Sequence, residues 1–172
     1  VEPYFLVAQR LFVDHEAKHY SGASKLTKVS LECSPWRKLH DESNFTIRNF
    51  AGTTEDGRIV VVAPEIVELP EASVAAIIAH EFGHAYDSLY PGRWVMAGGE
   101  LVRFDDVEED SPRADQARLA RMRAWRDRDP DTVETMADQI AEEVVGLTIR
   151  YSGPCVLQTF DRAGTKRPKG LR

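Results

Sequence analysis

The chain is 172 residues long, enough for one domain with a sizeable core. Hydrophobic residues make up 42% and charged residues 29%, the ordinary balance of a soluble globular protein rather than a disordered or fibrous one. A net charge of −6 argues against general nucleic-acid binding, and no apolar run reaches the roughly 18 residues that would suggest a membrane span.

Residues 3–20 predict an amphipathic helix with Phe5, Ala8, Leu11, Phe12 and His15 on one broad face, ended by Ser21-Gly22-Ala23-Ser24. Leu26, Val29 and Leu31 alternate imperfectly, and residues 25–33 are expected as the first strand. Residues 44–50 alternate Phe45, Ile47 and Asn49 and predict a second. Residues 52–57 are turn chemistry, with Asp56-Gly57 a hairpin signal. Residues 58–63 follow as the strongest strand, β-branched from Ile59 to Val62 and stopped by Pro64.

A helix is predicted from Pro70-Glu71 to just before Tyr90-Pro91-Gly92, with Pro at its first turn and Glu at the positive end of its dipole. Residues 91–110 read as a long connection carrying Gly98-Gly99 and an acidic run from Asp105 to Asp110. Long ordered connections in compact domains are often functional. Ser111-Pro112 opens a charged helix with Leu119, Met122 and Trp125 on its inner face, broken by Asp129-Pro130-Asp131. A last helix is expected from Thr132 to about Tyr151, stopped by Ser152-Gly153-Pro154. One domain is expected over residues 1–160, and the basic stretch 161–172 reads as a solvated tail. Cys33 and Cys155 are not spaced as a metal pair; two buried thiols is the plainer reading, and one disulfide in an exported protein the other. No signal-peptide pattern is visible, which favours the cytoplasm.

Two five-residue strings share the spelling H-E-x-x-H: His15-Glu16-Ala17-Lys18-His19 and His80-Glu81-Phe82-Gly83-His84. Histidines four apart on a helix project from one face, where a single zinc ion can take both imidazoles. Context separates the two copies. Around His80, residues 74–86 carry no charge except Glu81, as expected of a buried helix able to hold ligands in fixed rotamers. Around His15, Asp14 and Lys18 predict an exposed setting, and Lys18 would set a cation beside a dication. The His80 copy is therefore the candidate metal site, with Glu81 placed to take a proton from a zinc-activated water and return it to the leaving amine. Gly83 would let another helix approach closely.

Glu134 is the candidate third metal ligand, from a second helix. It has a plain alternative: with Asp131 as N-cap it would occupy the third helical position, where a capping-box Glu sits. Asp138, Glu142 and Glu143 compete for the ligand role; Asp138, one turn on, suits the outer partner that fixes a histidine tautomer.

His80-Glu81-x-x-His84 followed by Glu134-x-x-Ala137-Asp138 resembles the gluzincin branch of zinc metallopeptidases, and the stretch 134–145 resembles the third-ligand helix of the ImmA/IrrE-type peptidases. The resemblance covers roughly residues 44–151. It implies an α+β, zincin-like fold: an N-terminal helix, a small twisted sheet, a metal-binding helix and a glutamate-bearing helix. It also implies a Zn2+ cofactor held by His80, His84 and Glu134, peptide-bond hydrolysis with Glu81 as general base, and a peptide or protein substrate. Residues 58–63 are similar to the edge strand along which such enzymes hold an extended peptide. Three departures stand out, the first that family members often place Asn where Asp138 stands. His84 and Glu134 are fifty positions apart, with an extra helix between them, and no histidine follows position 84 to stabilise an oxyanion. Tyr86, Tyr90 and Tyr151 are candidates for that task, although packing is the plainer reading of each.

The alternative is a zinc-stabilised regulatory or protein-binding module with the peptidase fold and little catalytic activity. Calcium binding or gating by residues 105–110, and a pocket lined by Trp94, Met96 and Leu101, are further readings; a solvated loop and packing over the helices are the plainer ones. His40 needs no function.

Overall fold

The computed structural model describes residues 1–33, 50–105, 111–146, 148–152 and 157–161. Its mixed α+β architecture has helices α1 (Glu2–His19), α2 (Glu71–Leu89), α3 (Pro112–Arg126) and α4 (Pro130–Val145). Strands β1 (Ser30–Cys33), β2 (Ala51–Thr53) and β3 (Ile59–Val62) form one sheet; β4 (Trp94–Ala97) with β5 (Glu100–Arg103), and β6 (Thr148–Ser152) with β7 (Leu157–Asp161), form two hairpins.

The centre of the molecule is α2. Its run from Val74 to Ala85 is apolar on nearly every side, and the helix is buried accordingly. Phe82 meets Phe5 and Phe12 of α1 at ring separations of 5.1 and 5.3 Å, and Tyr86 meets Phe12 at 6.0 Å. These contacts set α1 across α2. α4 crosses α2 at Gly83: a Cβ there would lie 2.2 Å from the Ala137 carbonyl oxygen, so only glycine permits this approach.

In the three-stranded sheet β3 is central, with β1 parallel on one side and β2 antiparallel on the other. The β-branched run thus forms the middle strand and not the edge. Among the described residues β2 is an outer strand, and its Gly52 and Thr53 fall where the sequence predicted turn. The turn itself is shorter: Gly57 N–H donates to the Thr54 carbonyl, Gly57 takes a left-handed φ of 73°, and the Asp56 carboxylate accepts from Arg58 N–H. The strand expected over 44–50 lies outside the described residues, apart from Phe50.

Several other boundaries moved. Residues 26–28 make a 3₁₀ turn, because the Glu16 carboxylate captures the backbone N–H groups of Lys25 and Leu26; only from Ser30 does the chain become strand. The connection 91–105 folds into the β4–β5 hairpin around Gly98 and Gly99, both at positive φ. Trp94 is fully buried there, stacked on His15 and edge-on to Tyr86, which is packing and not a pocket wall. α3 has no buried residue; Leu119 is 57% exposed and Met122 also faces solvent, so the expected inner face holds only for Trp125, which is partly buried. α4 begins at Pro130, capped by Asp129, and stops at Gly146 in left-handed conformation, six residues before the expected end; β6 follows.

Cys33 carries an exposed free thiol, contrary to the buried thiol expected. Cys155, residues 106–110, His40 and the expected tail beyond Asp161 lie outside the described residues. Among the described residues no helix is long and apolar enough to cross a membrane.

Candidate metal centre

Each sequence-predicted site residue sits on α2 or α4 near their crossing. His80 and His84 are one turn apart on α2, and their Nε2 atoms lie 3.0 Å from each other. Glu134 reaches across from α4, with one carboxylate oxygen 3.0 Å from His80 Nε2 and the other 3.3 Å from His84 Nε2. The chain can hold this arrangement because α4 starts earlier than predicted. With Asp129 as N-cap, accepting from Thr132 N–H at 2.7 Å, Glu134 stands two positions past the third helical position that a capping box requires. The capping alternative for Glu134 is thereby removed.

Three donor atoms of this kind fit one small divalent ion. A tetrahedral zinc site with ligand bonds of about 2.0–2.1 Å spaces its ligand atoms about 3.3 Å apart, and the separations here are 3.0 to 3.3 Å. Among the described residues this trio brings its ligand atoms within 4.8 Å of one another. His80 is buried, His84 partly so, and the Glu134 side chain is 47% exposed, so the group opens to solvent on the glutamate side.

The surrounding shell is built to orient it. Asp138, buried one turn after Glu134, accepts from His80 Nδ1 at 2.6 Å. That bond turns Nε2 toward His84 and Glu134. Burial opposes a charge on His80, but the Asp138 carboxylate, with Glu134 and Glu81, more than offsets it and holds the imidazole well above its ordinary range. Burial also opposes the Glu134 carboxylate, and its bonds to His80 and His84 overcome that to hold it well below the usual carboxylate range. A metal ion would replace the protons shared within this cluster.

Glu81 is 6% exposed and does not join the trio. Its carboxylate accepts from the Thr53 hydroxyl of β2 at 2.7 Å. Thr53 is the functional candidate that sequence reasoning missed: it stood in a stretch read as turn, and its approach to Glu81 exists only once β2 has paired with β3. Glu143 points elsewhere and pairs with Arg103. Tyr86 is fully buried with its hydroxyl on His15, and the Tyr90 hydroxyl donates to Glu16, so neither faces the trio. The side chain of Tyr151 lies outside the described residues.

The other H-E-x-x-H string is not in the exposed setting expected. Glu16 is 2% exposed and accepts from Lys25 N–H, Leu26 N–H, the Ser24 hydroxyl and the Tyr90 hydroxyl. His15 bonds Tyr86, and His19 faces Asp105 at 3.4 Å. This copy ties α1 to the turn after it and to the end of α2.

Compared with protein-family models, curated proteins and solved structures, the chain matches none.

Proposed function

We propose that the chain is a zinc-dependent metallopeptidase of zincin-like fold, with His80, His84 and Glu134 as metal ligands and Glu81 as general base. The observation that carries this reading is the convergence of two imidazole Nε2 atoms and a carboxylate from a separate helix at zinc-ligand spacing. The likeness of both motifs to the gluzincins supports it independently. A zinc ion held there would supply Lewis acidity, acidifying a water and polarising the carbonyl to be attacked. Asp138 keeps His80 in the tautomer a metal requires. Glu81 takes the proton of the attacking water and passes it to the leaving nitrogen, while Thr53 holds its carboxylate. Thr53 also lies on the outer strand β2, so a substrate extended along β2 would run past Glu81.

One observation favours a second reading, a zinc-stabilised regulatory or protein-binding module of little activity. Tyr86 and Tyr90 are both committed to the core, which takes two of the three tyrosine candidates for the oxyanion away from the site.

The test is elemental analysis of protein purified without chelator, followed by hydrolysis of an unstructured protein substrate. The peptidase reading expects about one zinc per chain, cleavage that stops with a chelator, and a Glu81→Gln variant that keeps zinc but no longer cleaves. Zinc without cleavage supports the binding module. No zinc after supply of the metal ends both readings.

A further inference from the structure

Arg128 places one mostly buried side chain between α2 and α4. It stands two positions before α4 begins, in the break between α3 and α4. Its guanidinium forms an ion pair with Asp87 of α2 and lies 3.3 Å from the sulfur of Met136 on α4. Its Nε donates to the Trp125 carbonyl at 2.7 Å, and its guanidinium sits 5.0 Å from the Trp125 ring centroid. The Trp125 indole N–H in turn donates to the other Asp87 oxygen at 3.0 Å. The side chains of Arg128 and Asp87 are only 12% and 4% exposed.

The positions of these contacts along the helices matter. Asp87 follows His84 by one turn of α2, and Met136 follows Glu134 by two residues on α4. The contact at Gly83 lets α4 come close, but a glycine facing a carbonyl fixes distance and not register. A buried guanidinium and carboxylate, by contrast, tolerate little displacement, because separating them leaves each charge unpaired away from water. His84 and Glu134 are fifty positions apart, and this pair adds a second fixed point to the one that the His80–Asp138 bond gives.

We propose that Asp87, Arg128 and Trp125 form a positioning cluster that sets the register of α4 on α2 and so carries Glu134 to the histidine pair. The proposal rests on the metal reading above and makes Arg128 a positioning residue for zinc binding, with no part in the chemistry.

The test measures zinc affinity by competition with a chromophoric chelator, and the visible spectrum of the cobalt-substituted protein, for wild type and variants at a temperature where all are folded. Arg128→Met is expected to weaken zinc binding roughly tenfold or more, the scale of losses at outer-shell partners, and to alter the cobalt spectrum as the carboxylate ligand withdraws. Arg128→Lys, which restores the charge, should recover part of the affinity. Leu26→Ala, a core truncation remote from α4, should lower the melting temperature and leave zinc affinity unchanged. If Arg128→Met does not fold, the Asp87→Asn/Arg128→Met pair removes both charges together and is read in the same way. Unchanged zinc affinity in the variant against a wild type that binds zinc overturns the positioning role alone. A wild type that binds no zinc overturns the metal reading, and this proposal with it.

Discussion

Glu16 and Glu81 hold the same place in two copies of one string, and their surroundings differ in a way that decides what each can do. Four donors, two of them backbone N–H groups, converge on Glu16. A carboxylate with both oxygens so occupied has nothing left to offer a substrate. Glu81 accepts from one hydroxyl, that of Thr53, which leaves lone pairs for the proton that the proposed mechanism assigns to it. Hydrogen bonds to a charged group contribute about 1.5–3 kcal/mol, so Glu16→Gln should cost on the order of 2 kcal/mol of stability. Zinc content should not change in that variant. Chemical denaturation and elemental analysis on one preparation check both halves, and loss of zinc from Glu16→Gln would mean that the first string serves the metal after all.

Among the elements, the crossing of α2 and α4 governs the site. Gly83→Ala would drive a methyl group into the Ala137 carbonyl oxygen, and Ala137 neighbours Asp138, which orients His80. The helices must part to admit it. We expect a loss of about 1–3 kcal/mol, the usual cost of overpacking, together with weaker zinc binding; a variant of full stability and affinity would show that the helices yield without moving Glu134. This crossing explains how much of the site was legible in the sequence. α2 was readable because residues 74–86, with no charge but Glu81, lay between Pro70 and Pro91, and His80, His84 and Glu81 came with it. The role of Glu134 was ambiguous because a ligand and a capping carboxylate look alike until the N-cap is known, and Asp129 and Asp131 both flank Pro130. The β4–β5 hairpin was missed because Trp94 to Arg103 has almost no polar alternation, its register being set by Gly98 and Gly99. Leu119 and Met122 misled in the opposite sense: they stand at helical spacing on α3, yet face solvent. The pairing of Asp87 with Arg128 had no sequence signal, since a buried ion pair between distant residues is spelled like any two charges; Trp125 was legible only as a residue of the inner face of α3.

At the scale of the whole molecule, α1 is seated on α2 over a cluster of aromatic rings, and His15 closes its margin. The His15 ring stacks on Trp94 at 5.8 Å, and its Nδ1 lies 2.9 Å from the Tyr86 hydroxyl. Burial chiefly, then the nearby charges of His19, Arg103 and Lys18, with Asp105 opposing, bring its pKa down to about 4. An unfolded histidine titrates near 6.5. Between those values the unfolded chain takes up a proton that the folded chain refuses, so stability falls as pH falls through this window. The loss is complete below about pH 4 and absent well above pH 6.5. One such proton gives a slope of at most about 1.4 kcal/mol per pH unit, and solvent screening at a partly exposed ring reduces it. Other groups also take up protons as the pH falls, so the wild type alone does not isolate the effect. His15→Gln does, because the amide keeps an acceptor for the Tyr86 hydroxyl and takes no proton. Melting temperatures followed from about pH 7 down to about pH 4 should fall more steeply for the wild type than for His15→Gln, with the curves parallel at the neutral end. Curves parallel throughout would mean that His15 accepts its proton without strain on the α1–α2 contact, and that the seat of α1 is open to water at this point.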